Sequence, residues 1–83
     1  MKLELYFYSQ CPFCMMVLRK IESLGLGEKI EFKNTLEVPQ NREDHKEKTG
    51  RTTVPCLYID GEPMFESADI IDWLEKNQST IKG

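Results

Sequence analysis

The chain has 83 residues, enough for one small domain, 1–83, and too few for a second. Its net charge of −3, with Lys and Arg scattered among the acids, offers no phosphate-binding surface and excludes nucleic acid as an expected partner. No apolar run approaches the roughly 20 residues of a membrane span, so no membrane partner is expected either.

The chain opens on alternation. Leu3, Leu5 and Phe7 point one way, and Lys2, Glu4, Tyr6 and Tyr8 the other, which is the period of a strand. Because Met1–Leu5 enters this pattern at once, no signal peptide is expected. Three cysteines, one close pair plus one, are no disulfide framework, so a reducing cytoplasm is the expected setting. After the turn at Ser9-Gln10 comes Cys11-Pro12-Phe13-Cys14.

Pro12 suits the first turn of a helix, where a missing N–H costs nothing. From there the period becomes helical: Cys14, Val17, Leu18, Ile21 and Leu24 share one face, and Gly25 is placed to end the helix. Two thiols thus sit one helical turn apart at a helix start. The first N–H groups of a helix lack partners and carry partial positive charge, which favours a thiolate over a thiol. The thiolate is the nucleophile of disulfide exchange. Cys11 is the expected nucleophile, and Cys14 is close enough to attack a mixed disulfide formed on it. A zinc half-site is one competing reading, but Cys56 and His45 are the only further ligands of that kind and have no ligand-like spacing; a buried structural role for both thiols is the other, and it is odd at a polar helix start. Met15 and Met16 read as helix-surface and packing residues.

Residues 30–35, Ile-Glu-Phe-Lys-Asn-Thr, alternate again, and the helix before them makes the pairing with the first strand parallel. Pro39 then starts a second helix. Residues 40–49 contain no aliphatic or aromatic side chain, which predicts a short, exposed, mobile helix ending near Gly50, with His45 a solvated surface residue. In residues 56–59, Leu57 and Ile59 share one face of a strand and Cys56 and Tyr58 the other; Asp60-Gly61 is a hairpin signal, with Pro63-Met64-Phe65 returning at an edge. Ser67 reads as the N-cap of a last helix with Asp69 in its first turn. Ile70, Ile71 and Leu74 form its apolar stripe, Trp73 borders it, and a polar tail follows Lys76-Asn77.

The order β-α-β-α-β-β-α, with Cys-x-x-Cys opening the first helix and Val-Pro before the third strand, resembles the glutaredoxins, a branch of the thioredoxin fold. Cys11-Pro12-Phe13-Cys14 is similar to their Cys-Pro-Tyr-Cys motif, and Thr49-Gly50-Arg51-Thr52-Thr53-Val54-Pro55 to their Thr-Gly-x-x-Thr-Val-Pro segment. The resemblance implies an α/β, thioredoxin-like four-stranded mixed sheet flanked by three helices. It implies that Pro55 is cis and that the Val54 backbone meets the cysteinyl part of glutathione. Before the last helix, Glu66-Ser67 stands where glutaredoxins carry Gly-Gly-x-x-Asp. It resembles instead the Glu-Ser pair of glutathione transferase N-terminal domains, which holds the γ-glutamyl end of glutathione. Tyr8 occupies the place where many glutaredoxins have Lys, so the glycyl carboxylate falls to Arg51, Arg42 or Lys46 or goes unpaired, or Tyr8 stacks on a different thiol substrate.

The function this implies is glutathione-dependent thiol–disulfide exchange by a monomer without a bound cofactor. Cys11 and Cys14 would be the catalytic residues, and Tyr8, Phe13, Arg51, Thr53, Val54, Pro55, Glu66 and Ser67 would bind substrate. Its partners would be glutathione and disulfide-containing or glutathionylated proteins. Two other readings stand beside it. One is a redoxin served by thioredoxin reductase, as in electron donors of ribonucleotide reductase. The other is an iron–sulfur or metal carrier, against which Pro12 argues, since cluster-binding relatives usually have Gly there. Cys56, directly after Pro55 and so expected near the thiols, is open to three roles: a small buried residue, a regulatory thiol or a third metal-binding thiolate.

Overall fold

The computed structural model describes Met1–Gly83. Its elements are β1 (Leu3–Phe7), α1 (Pro12–Ser23), β2 (Glu31–Asn34), α2 (Pro39–Thr49), β3 (Cys56–Ile59), β4 (Glu62–Met64) and α3 (Ser67–Lys82), with a single 3₁₀ turn at Gly27–Lys29. This is the expected order, and the four strands form one mixed sheet in the order β2-β1-β3-β4. β1 pairs in parallel with β2, as the intervening helix requires, and antiparallel with β3, where Leu5 faces Leu57 and Tyr6 faces Cys56. Pro63 lies on the edge strand β4, the place open to a residue without an N–H.

Local chemistry sets the corners. α1 ends in a paired C-terminal motif: Gly25, at φ 69°, donates to the Glu22 carbonyl and Leu26 donates to that of Ile21, each at 3.0 Å. Leu26 then folds back into the core, fully buried. Asp60 (φ 49°) and Gly61 (φ 88°) make the two-residue hairpin turn that their sequence announces. Asn34 organises the entry to α2 by accepting from the Leu36 and Glu37 amides through its side chain.

The core has two parts. On one face of the sheet, Leu3, Leu5, Phe7 and Leu57 pack against Cys14, Val17 and Ile21 of α1 and Ile70, Leu74 and Ile81 of α3. Alternation along β1 and β3 puts Tyr6, Cys56 and Tyr58 on the opposite face, where they form a second cluster. All five residues of β1 are buried, so this strand is covered from both sides.

Three expectations are corrected here. His45 is not a surface residue: it is fully buried, the one buried side chain of α2, and it stacks on Tyr6 with ring centroids 5.2 Å apart. The polar helix is therefore held by a histidine seated on the aromatic face of the sheet. The polar tail is not a tail: α3 runs on to Lys82 because Ile81, nearly two turns beyond Leu74, returns to the core. Cys56 does not lie with the thiol pair, because its side chain points to the other face of the sheet.

The second cluster has a measurable alkaline consequence. Burial pushes the Cys56 thiol up to about 12, and burial followed by the charges of Cys56, Tyr6 and Glu4 pushes the Tyr58 phenol up to about 12. Both groups keep their protons in the fold after the unfolded chain has lost them. The stability they contribute is thus whole below about pH 9, where the unfolded thiol begins to ionise, and is lost on the way to pH 12. The urea midpoint of the reduced protein is expected to fall above pH 9, by up to about 1.4 kcal/mol per pH unit for each group. A midpoint flat to pH 11 would contradict it.

Candidate active site

Cys11 is the N-cap of α1. Its backbone is extended (φ −84°, ψ 119°), its carbonyl accepts from Met15 at 3.0 Å, and its sulfur accepts from the Cys14 N–H at 3.4 Å. The thiol therefore occupies the position where a serine or aspartate oxygen normally satisfies a free helix amide. Pro12 fills the first helical position. Cys11 is 7% exposed and Cys14 is completely covered, so Cys11 is the one of the pair with any exposure.

The two sulfurs differ in cover. Burial, above all, pushes Cys14 up to about 12; a hydrogen bond from the Tyr8 backbone opposes this, and the Cys11 side chain and charge add to it. Cys14 remains a thiol at neutral pH. Cys11, which receives the Cys14 N–H at the helix terminus, is the sulfur placed to react.

Beside the pair is a cleft of about 190 Å³ lined by Phe13, Thr53, Val54, Pro55, Glu66 and Ser67. Six of the eight substrate-binding residues expected from the sequence are therefore brought together. The Val54–Pro55 bond is cis, as the resemblance implied. Phe13 is 60% exposed, an apolar ring at the mouth of the cleft.

The Glu66–Ser67 corner differs from the expected cap. Glu66, not Ser67, holds the N-cap position of α3, at φ 72° and ψ 116°, and no side chain caps the helix. Ser67 is the first helical residue. A non-glycine residue at positive φ costs on the order of 1–3 kcal/mol and persists only where the surroundings impose it. The consequence is chemical: the Ser67 hydroxyl is not used as a cap, and the uncapped start of α3, Glu66 and Ser67, forms part of the cleft lining.

Two expected residues are not in the lining. Tyr8 packs half-buried against the main core and gives its carbonyl to the Cys11 N–H at 3.3 Å. Arg51 stacks its guanidinium 4.0 Å above the Phe65 ring, next to Glu66 in the chain. Arg42 reaches Glu43 at 3.8 Å. A larger open depression of about 650 Å³ lies between the end of α1 and Phe32, but it holds no nucleophile.

Sequence reasoning missed His45. Its Nε2 lies 2.8 Å from the Thr53 carbonyl and its Nδ1 lies 2.7 Å from the Tyr58 hydroxyl. The signal was present in the strands: Tyr6, Cys56 and Tyr58 make the second face of the sheet too apolar to face water, and α2 is the element left to cover it.

Comparison with known proteins agrees with the geometry. The family model described as glutathione S-transferase, N-terminal domain, matches residues 5–81. The chain is similar to an epsilon-class glutathione S-transferase from the housefly, Musca domestica, with 26% identity and a TM-score of 0.75 over 93% of this chain and 35% of that one. It is similar to glutathione transferase E6 from Drosophila melanogaster, with 29% identity and a TM-score of 0.74 over the same shares, 93% and 35%. Its fold is also that of glutathione transferase Omega 3C from Trametes versicolor, at 23% identity, TM-score 0.74, 92% of this chain and 33% of that one. The chain thus spans about a third of the length of these structures. No curated protein matches it.

Proposed function

We propose glutathione-dependent thiol–disulfide exchange, of the glutaredoxin type, for this chain, which belongs to the glutathione S-transferase N-terminal domain family. One observation carries the reading: Cys11, 7% exposed and accepting a helix amide, stands beside a fully covered Cys14, next to a cleft lined by Val54, Pro55, Glu66 and Ser67. In this reading the backbone of Val54 pairs with the cysteinyl unit of glutathione. The γ-glutamyl carboxylate meets the Ser67 hydroxyl and the first amides of α3, and Glu66 pairs with the γ-glutamyl ammonium.

The chemistry then runs in two displacements. The Cys11 thiolate attacks the glutathione sulfur of a mixed disulfide; the S–S bond breaks, Cys11 carries the glutathionyl group, and the released thiolate takes a proton from water. A second glutathione thiolate attacks that sulfur, giving glutathione disulfide and restoring Cys11. With a protein disulfide, Cys11 instead becomes joined to the substrate, and Cys14 loses its proton, attacks Cys11 and expels the substrate thiolate. Glutathione then reduces the Cys11–Cys14 disulfide.

The thiol of Cys14, held up to about 12, makes its own attack the slow branch at neutral pH. Resolution by Cys14 is expected to quicken about tenfold per pH unit between 7 and 10, following its thiolate fraction. Quenched-flow sampling of a Cys11 mixed disulfide measures this, and a flat rate would contradict it. The reading as a whole is tested by treating the reduced protein with a glutathionylated peptide and mapping the modified cysteine by mass. Modification of Cys11 by one glutathionyl group is the expected result; modification of Cys14 or Cys56 alone, or none, overturns it.

A further inference from the structure

The cleft wall formed by residues 53–55 is tied to the rest of the fold by one side chain. Thr53 offers a carbonyl, which can only accept, so the His45 Nε2 at 2.8 Å must carry the proton. In the neutral ring Nδ1 is then an acceptor, and the Tyr58 hydroxyl at 2.7 Å donates to it. Both ring nitrogens are satisfied, in one tautomer, at a fully buried position. The ring is held in that plane between Tyr6, whose centroid is 5.2 Å away, and Phe65 at 5.8 Å. α2 has no other buried residue, so His45 fastens the helix and the Thr53 carbonyl at once.

We propose that His45 is a positioning residue for ligand binding: its Nε2–H holds the Thr53 carbonyl and so sets the Thr53–Val54–Pro55 wall on which the glutathione backbone lies. This rests on the glutathione reading given above. It makes the affinity of the cleft sensitive to acid. Protonation leaves Nε2–H on the Thr53 carbonyl and obliges the Tyr58 hydroxyl to turn and accept from Nδ1; its cost is a charge in a buried ring already flanked by the cations Arg51 and Lys48, which drives the ring from its seat. The groups around it are Lys48 on α2, whose Nζ lies 5.1 Å from the Tyr58 ring centre, Arg51 in the loop, Tyr6 and Glu4 on β1, and Cys56 and Tyr58 on β3. Burial first, then Arg51 and Lys48, lower the histidine's proton affinity, against the opposing pull of the Thr53 carbonyl. The neutral ring is thus kept down to a pH below the ordinary histidine range, and the wall loosens when that ring takes its proton.

The probe is S-methylglutathione, which has no free thiol and cannot react, measured by calorimetry from pH 5 to 8. The wild-type protein is expected to bind less tightly as pH falls through the lower part of that range. His45→Phe, which keeps the ring stack and loses both hydrogen bonds, is expected to bind about tenfold more weakly at pH 7.5, with the acid dependence gone. Unchanged affinity in His45→Phe, or an acid slope that survives it, overturns the proposal. Tyr58→Phe serves where His45→Phe does not fold: it frees Nδ1 and leaves the Thr53 contact, and it is expected to move the acid weakening to higher pH. An unmoved acid limb overturns the proposal too. The ring nitrogen shifts of His45 in the free protein judge the clamp without any ligand: Nε2 protonated and Nδ1 bare at pH 7.5 supports it, and the opposite tautomer overturns it. Absence of binding by the wild-type protein, with that tautomer in place, is the distinct result that sinks the glutathione reading instead.

Discussion

Replacing Cys11 with serine is expected to remove glutathione-coupled disulfide reduction, by about three orders of magnitude or more, since a serine hydroxyl is not ionised at neutral pH and cannot stand in for the attacking thiolate. Replacing Cys14 with serine is expected to do something different. It should end the reduction of protein disulfides that need a resolving thiol and leave removal of a glutathionyl group from a peptide in place. The asymmetry follows from the site. Cys11 is the sulfur with access and with a helix amide on it, and Cys14 is covered and holds its proton. The measurement is turnover of a glutathionylated peptide and of a protein disulfide, each with glutathione as reductant. Activity surviving in Cys11→Ser would show that the nucleophile is elsewhere. Equal loss of both activities in Cys14→Ser would show that the second thiol does more than resolve.

The second large effect is expected at Ile70. This side chain is fully buried in the layer between α3 and the sheet, and its amide donates to the Glu66 carbonyl at 3.0 Å. It therefore anchors the first turn of α3 directly behind the Glu66–Ser67 corner. Ile70→Ala removes buried apolar volume and leaves a cavity, at a cost of about 2–5 kcal/mol, where Ile70→Val costs about 0.5–1.5 kcal/mol. Total stabilities of small domains are about 5–15 kcal/mol, so the alanine variant is expected to be near the edge of folding. In a domain of this size the melting temperature falls by about 4–8 °C per kcal/mol lost. A calorimetric scan of the reduced protein checks this. A fall in Ile70→Ala no greater than that in Ile70→Val would mean that the site collapses around the missing atoms and that the corner is held by other contacts.

Much of this was readable from the residues themselves. Period two in Leu3–Phe7, period three to four from Cys14 to Leu24, and Asp60-Gly61 between two apolar runs gave the elements, because each depends on near neighbours. The thiol pair was readable for the same reason: a helix start, a proline at its first position and two cysteines are all local. What stayed hidden depends on partners far along the chain. The antiparallel pairing of β1 with β3 joins residues 50 or more positions apart, and nothing in either strand names the other. His45 looked solvated because its helix is otherwise polar, and its burial is dictated by Tyr6 and Tyr58, which lie on two other strands. The positive φ of Glu66 has no mark in the sequence at all, since the residue type disfavours it.

The two-sided burial of β1 also orders events during synthesis. The thiol pair is made before much of the core cluster that Cys14 belongs to: Leu57 of β3, and Ile70 and Leu74 of α3, follow it in the chain. Until those arrive, the burial that pushes the Cys14 thiol up does not exist, and both sulfurs are open to solvent within one turn of each other. The nascent chain thus exposes this pair most before α3 is made, and the docking of α3 is the step that makes the two sulfurs unequal in cover.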